Sequence, residues 1–198
     1  MIPIELLEKF DAQLRNYTKG ELLFAQNDTA RNYFQVHAGA VKMNNFNDDA
    51  KEFIQGIFYQ GQSFGEPPLF IDIPYPANAE AMADSEVWVL PKSALFNLLE
   101  QHPAIHLQLT TQLAKRLYYK AIIASEISNQ DPAHRILRYF DYLKYELAQK
   151  DKNERYQIPH TRQQIADLLA LRVETVIRAI KTLEKKGAVT IEKRKVYR

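Results

Sequence analysis

The sequence predicts an α+β chain in two parts, a small antiparallel β-sandwich or roll closed by a long helix and then a compact helical unit ending in a β-hairpin. Three observations carry this. Between Gly20 and about Pro91, short apolar segments alternate with Asn-, Asp- and Gly-containing breaks at fairly regular intervals, the texture of an all-β domain. From Pro103 to about Ser128, apolar residues recur at helical spacing over an unusually long run. Between Thr161 and Lys186, two helical patterns meet at the corner Ala170-Leu171-Arg172.

The elements follow in order. Ile4, Leu7, Phe10 and Leu14 fall at helical intervals, so a short amphipathic helix is expected over Ile4 to Tyr17. Strands are expected at 21–24, 33–36, 40–43, 52–57 and 87–90. Five of the six glycines (Gly20, Gly39, Gly56, Gly61 and Gly65) lie in this region, where tight turns would use them. Ala94, Leu95, Leu98 and Leu99 mark a short helix after Lys92. The long helix then carries Ile105, Leu109, Leu113, Leu117, Ile123 and Ile127, with Tyr118 and Tyr119 among them, in a nearly heptad-like stripe. A seam of that length either packs only on the chain's own roll or pairs with a second copy of the chain in a two-fold coiled coil, and the length favours the second.

Asn129-Gln130-Asp131-Pro132 interrupts the helix: Asp131 suits an N-cap and Pro132 the first helical position that follows. The domain boundary is therefore placed here, giving 1–128 (with the dimerisation helix over about 103–128) and 129–198. A helix from Pro132 to about Lys150 should bury Ile136, Leu137, Phe140, Leu143 and Leu147. Thr161 and Gln164 then form a capping box that starts a helix with Ile165, Ala166, Leu168 and Leu169 on its apolar side. In the next helix Val173, Val176, Ile180 and Leu183 form one buried stripe, which turns Glu174, Thr175, Arg178, Lys181 and Lys185 outward until Gly187 ends it. Ala188–Ile191 and Lys195–Tyr197 flank Glu192-Lys193-Arg194 as a basic-tipped hairpin.

Two helices at a tight corner, followed by such a hairpin, have the shape of a DNA reader. Arg178 suits guanine O6 and N7, and Glu174 suits the cytosine amino group in a major groove. The other reading of the pair is an i,i+4 ion pair on a solvated helix. Arg162, Gln163, Arg172, Thr175, Lys181, Lys193 and Arg194 are candidate contacts to the phosphate backbone and groove edges. Charge agrees with this division. Residues 131–198 hold 16 Lys and Arg against 9 Asp and Glu, a net of +7, whereas residues 1–130 hold 10 against 15, a net of −5. The basic half is fitted to a polyanion and the acidic half is not.

Composition excludes several classes. There is no cysteine, hence no disulfide, no thiolate-ligated cluster and no thiol redox sensing. A cupin-type metal enzyme needs several converging ligands, but only His37 lies within the expected strands. His102 and His106 stand at i,i+4 spacing without a third ligand close in sequence, so neither metal nor cofactor is expected. No catalytic constellation is evident. No apolar run reaches membrane-spanning length, so the expectation is a cytoplasmic protein with no membrane partner.

Together, Gly20-Glu21, Gly39, Gly61-Gln62-Ser63-Phe64-Gly65-Glu66, Ser85-Glu86-Val87, and Ile165-Ala166 through Val173–Arg178 resemble the Crp–Fnr family of bacterial transcription regulators over essentially the whole chain. The resemblance implies a cyclic-nucleotide-binding-like β-roll and a winged helix-turn-helix. It also implies a homodimer on an inverted repeat of double-stranded DNA, RNA polymerase as a further partner, and a small effector in or near the roll. The effector pocket it implies is lined by Phe64, Gly65, Glu66, Pro67, Tyr75, Pro76, Ala77 and Asn78. Two departures stand out. Cyclic-AMP-binding members carry an Arg-Ser pair that grips the cyclic phosphate, and Tyr75-Pro76 occupies that place here, removing a guanidinium and a backbone donor. Ile177 stands where a small or polar residue is usual, and either touches a thymine methyl or packs under the helix. The alternative to a transcription regulator is a cyclic-nucleotide-binding regulatory module without a DNA role, which the basic half disfavours.

Overall fold

The computed structural model describes residues 2–127 and 131–198, so Met1, Ser128, Asn129 and Gln130 lie outside the described residues. The elements are α1 (Ile4–Lys9), β1 (Gln13–Tyr17), β2 (Leu22–Phe24), β3 (Asn32–Ala38), β4 (Ala40–Phe46), β5 (Glu52–Tyr59), β6 (Ser63–Phe64), α2 (Pro67–Ile71), β7 (Asn78–Ala81), β8 (Ser85–Pro91), α3 (Lys92–Gln101) and α4 (Pro103–Ile127). They continue with α5 (Pro132–Asp141), a π-helical turn over Tyr142–Leu147, α6 (Arg162–Leu169), α7 (Val173–Lys185), β9 (Thr190–Glu192) and β10 (Lys195–Tyr197). The chain divides into two compact units, Met1–Ala114 and Lys115–Arg198, so the division falls within α4.

In the first unit, two four-stranded antiparallel sheets have the orders β1-β8-β3-β6 and β2-β7-β4-β5. Their inner faces share a core in which Phe34, Val36, Val87 and Val89 of the first sheet meet Phe24, Val41, Met43 and Ala79 of the second. The other face of the first sheet is buried too. Tyr33, Trp88 and Leu90 pack there with Leu7 of α1, Leu95, Leu98 and Leu99 of α3, and Leu109 of α4. Burial on both faces explains why 87–90 reads as an unbroken apolar run. At the hairpin between β3 and β4, Gly39 has φ +85°, and a Cβ added there would stand 2.3 Å from Ser85 Oγ, so both dihedral and space demand glycine.

Three expectations about this unit change. The first helix stops at Lys9, and Asp11 turns the chain with φ 61°. Leu14 is not on that helix but in β1, opposite Trp88 of β8, and is 42% exposed. Pairing with a strand seventy residues away outweighs the local helical period. Gly56 makes no tight turn: it lies inside β5 opposite Met43, where the register slips, a bulge position. The stripe on α4 is also divided. Leu109 is buried, and Ile105 and Leu113 pack beside it in the first unit. Leu117 is 70% and Tyr118 68% exposed, whereas Tyr119 and Ile123 pack on the second unit's core.

The second unit is built around Ile136 and Phe140 of α5, Ile165 and Leu169 of α6, Val176, Ile180 and Leu183 of α7, and Val189 and Val196 beside the hairpin. Asp131 caps α5 by accepting from the Ala133 N–H at 2.9 Å, with Pro132 in the first turn, as expected. The expected helix to Lys150 does not continue in α form. The π-helical turn, with its wider hydrogen-bond spacing, offsets the apolar stripe, so Lys144 is buried and Leu147 is half exposed. Among the described residues, no helix is long and apolar enough to cross a membrane.

Candidate functional site

The capping box forms in both directions: Gln164 N–H donates to Thr161 Oγ1 at 3.2 Å, and Thr161 N–H donates to Gln164 Oε1 at 2.7 Å. This fixes where α6 starts. Its end is set by Ala170, which takes the left-handed conformation (φ 52°) while Leu171 N–H returns to the Ala166 carbonyl at 2.9 Å. Arg172 caps α7 in an extended conformation and is exposed. The buried stripe Val176, Ile180 and Leu183 then orients the helix, leaving Glu174, Ile177, Arg178 and Lys181 exposed and Thr175 half-buried. Ile177 is 42% exposed, which decides between its two readings in favour of the outer face. Among the described residues no ion pair joins Glu174 to Arg178.

Lys193 (φ 46°) and Arg194 (φ 67°) form the two-residue loop between β9 and β10, with Glu192 paired to Lys195. Two consecutive left-handed residues match a type I′ hairpin turn, here without glycine or asparagine. The wing is anchored at its base. Tyr156 and Arg198 exchange backbone hydrogen bonds at 2.9 and 2.8 Å, and Ile158 N–H donates to the Val196 carbonyl at 2.9 Å. Arg155 reaches Glu192 at 2.5 Å and lies 3.9 Å from the Tyr197 ring centroid. Arg162 Nη1 donates to the Arg194 carbonyl at 2.7 Å, and Gln163 donates to the buried Asp167 at 2.9 Å. Two of the candidate phosphate contacts are thus already engaged within the protein.

Sequence reasoning missed two buried polar residues that hold this unit. Arg135 of α5 is 9% exposed and donates to the Leu169 carbonyl at 3.2 Å, satisfying the end of α6. Its signal is its place next to Ile136 on the buried face of α5. His160, just before the cap of α6, lies parallel to Tyr139 with ring centroids 5.9 Å apart, and burial pushes its pKa down to about 4.

In the roll, the residues expected to line an effector pocket are mostly core. Phe64, Glu66, Tyr75 and Ala77 are buried, Pro67 and Pro76 are exposed, and half-buried Asn78 accepts from the Gln26 N–H at 2.8 Å. The Tyr75 ring stacks on Phe24 with centroids 3.7 Å apart, and its hydroxyl donates to the Asn32 carbonyl at 3.0 Å. Phe34 and Phe64 stack at 5.3 Å in the same cluster. Gly65 (φ +76°) lies against these rings, and a Cβ there would be 3.4–3.5 Å from Phe24, Phe34 and Tyr75. Among the described residues no group of three or more His, Asp or Glu is arranged to hold a metal.

Two family descriptions match the two parts. The cyclic nucleotide-binding domain matches residues 14–102, and the Crp-like helix-turn-helix domain matches residues 133–198. The chain belongs to the Crp–Fnr family. It is 25% identical over 195 residues to the transcriptional activator protein anr of Pseudomonas aeruginosa, covering 98% of this chain and 80% of that protein. Against the cAMP-activated global transcriptional regulator CRP of Haemophilus influenzae it is 28% identical over 177 residues, 89% of this chain and 79% of the other. Among solved structures, the c-di-GMP responsive global regulator CLP of Xanthomonas campestris superposes with a TM-score of 0.74 at 25% identity, covering 98% of each chain. The chain is accordingly a transcription regulator of Crp–Fnr type with a DNA-binding helix-turn-helix domain, from a family that is generally not enzymatic. Two of these names report different small-molecule signals, cAMP and c-di-GMP, so membership of the Crp–Fnr family does not by itself specify an effector.

Proposed function

We propose that the protein is a cytoplasmic homodimer that binds an inverted-repeat operator through two copies of α7, one per half-site, with RNA polymerase as its further partner. The observation that carries this reading is the outer face of α7, where Glu174, Ile177 and Arg178 are exposed and neither charge is neutralised by the other. Arg178 offers a bidentate donor pair to guanine, Glu174 an acceptor to a cytosine amino group, and Ile177 an apolar contact to a thymine methyl. Two-fold symmetry then sets half-site centres about 34–36 Å apart. Arg172, Gln163, Thr175 and Lys181 serve the backbone and groove edges, and Lys193 and Arg194 bring the wing's charge to phosphates.

Dimerisation is assigned to the exposed face of α4, where Leu107, Thr111, Ala114, Tyr118 and Ala121 follow alternating spacings of four and three. Cyclic AMP is not its effector in this reading, because Tyr75-Pro76 replaces the phosphate-gripping pair and the Tyr75 ring fills the roll. Random-site selection tests the base-reading assignment. The parent should return an inverted repeat with a G·C pair in each half-site. Arg178→Ala should lose about 1–3 kcal/mol at that pair and relax discrimination there. An unchanged site preference in Arg178→Ala would remove Arg178 from base recognition.

A further inference from the structure

We infer that Arg162 is a positioning residue for the wing rather than a phosphate ligand in its own right: it fastens the Lys193-Arg194 tip to the start of α6. This rests on the reading of the wing tip as a phosphate contact. Beside the solvent-exposed ion pair of Arg155 with Glu192, which holds the strand before the turn but not the turn itself, the tip has little else to hold it. Strands β9 and β10 are three residues each, Glu192 to Lys195 are all exposed, and the turn is made by two non-glycine residues in the left-handed region. A hairpin of that size is marginal alone. The described backbone bonds to Tyr156 and Ile158 engage Arg198 and Val196, at the base of the hairpin, and leave the turn untouched.

Arg162 reaches the turn itself. Its Nη1 donates to the carbonyl of Arg194, a charge-assisted bond of 2.7 Å across thirty-two residues of sequence. The other end of the strut is rigid, because Arg162 directly follows Thr161, whose place is fixed by the capping box and by the packing of Ile165 and Ala166. The helix-turn-helix and the wing tip thereby share one reference point. Losing Arg162 should release two cations from their set position, a larger electrostatic loss than one direct contact.

The test is a double-mutant cycle on full-length protein, reading the salt dependence of operator binding. Each lost phosphate contact flattens the slope of log K against log salt by roughly 0.9. Arg162→Ala alone should flatten it by more than that single-contact value, and should leave the slope unchanged when added to Lys193→Ala/Arg194→Ala. Hydrogen exchange on the DNA-free protein supplies a second readout, in which amides of 193–196 should exchange faster in Arg162→Ala while those of α7 do not. An equal slope loss of roughly 0.9 in both backgrounds, or wing exchange unchanged from the parent, would overturn the assignment. Should Arg162→Ala lose its folded state, Arg162→Met keeps the aliphatic stem and serves in both measurements. A parent with no salt-dependent DNA binding would defeat the proposed function, while exchange at the wing would still decide the strut.

Discussion

His160 shows at the residue scale how a single buried group ties the reader's stability to pH. Its ring is 7% exposed, and burial lowers its pKa from 6.5 to about 4. In the unfolded chain the imidazole takes up a proton below about 6.5, whereas the folded protein refuses it until about 4. The unfolded state therefore binds the extra proton between those values. The contribution of His160 is fully present above that window and is lost as pH falls through it, by roughly 3 kcal/mol at most. Denaturant unfolding at pH 7 and pH 5 should show the parent losing more stability than His160→Phe, which keeps an aromatic ring against Tyr139 but cannot be protonated. Parallel pH profiles for the two proteins would contradict this. Arg178 and Glu174 are the counterpart at the surface: no described internal partner occupies them, so substitutions there should alter recognition with little effect on folding.

At the scale of elements, α4 is where local pattern and tertiary use diverge. Its heptad-like spacing is real, but periodicity names apolar positions without saying which face the chain's own core will take. Ile105, Leu109 and Leu113 are taken by the first unit, leaving Leu107, Leu117 and Tyr118 each about 70% exposed. An apolar face of this kind calls for a partner. Sedimentation should show the parent as a dimer and Leu107→Lys/Tyr118→Lys as a monomer with its helix content retained. Leu113→Lys should instead lower the melting temperature, because it places a charge in a packed interior. A monomeric parent, or a double variant that remains dimeric, would reject the seam.

The same contrast between local and long-range causes runs through the other elements. The capping box of α6, Asp131-Pro132 at α5 and the outer face of α7 depend on neighbours within a turn or two and were legible in the sequence. The strand β1 was not, since its partner β8 lies far along the chain and its residues also fit a helical period. Nor was the engagement of Arg162, because its acceptor is a backbone carbonyl in a turn that no side-chain pattern announces. The exposed face of Ile177 needed the helix's rotation, which only packing fixes.

At the scale of the whole molecule, the −5 and +7 halves assign the polyanion to one part and leave the roll to any signal the protein receives. A nucleotide entering that roll would have to displace aromatic surface already packed. Tyr75 is 2% exposed and stacked on Phe24, and its backbone is tied to the 27–28 loop, with Asn27 N–H donating to the Tyr75 carbonyl and Tyr75 N–H to the Asp28 carbonyl, both at 2.9 Å. Deleting a buried aromatic ring outright costs about 3–5 kcal/mol, an upper bound on what moving this one aside would take. That cost would have to come out of the binding energy, and at this position no guanidinium repays it with a bidentate contact to the cyclic phosphate. Calorimetry with cyclic AMP should therefore give no saturable heat at micromolar ligand, and operator affinity of protein freed of small molecules should be the same with and without it. Saturable binding at micromolar cyclic AMP would mean that Tyr75 leaves the core readily, contrary to its packing.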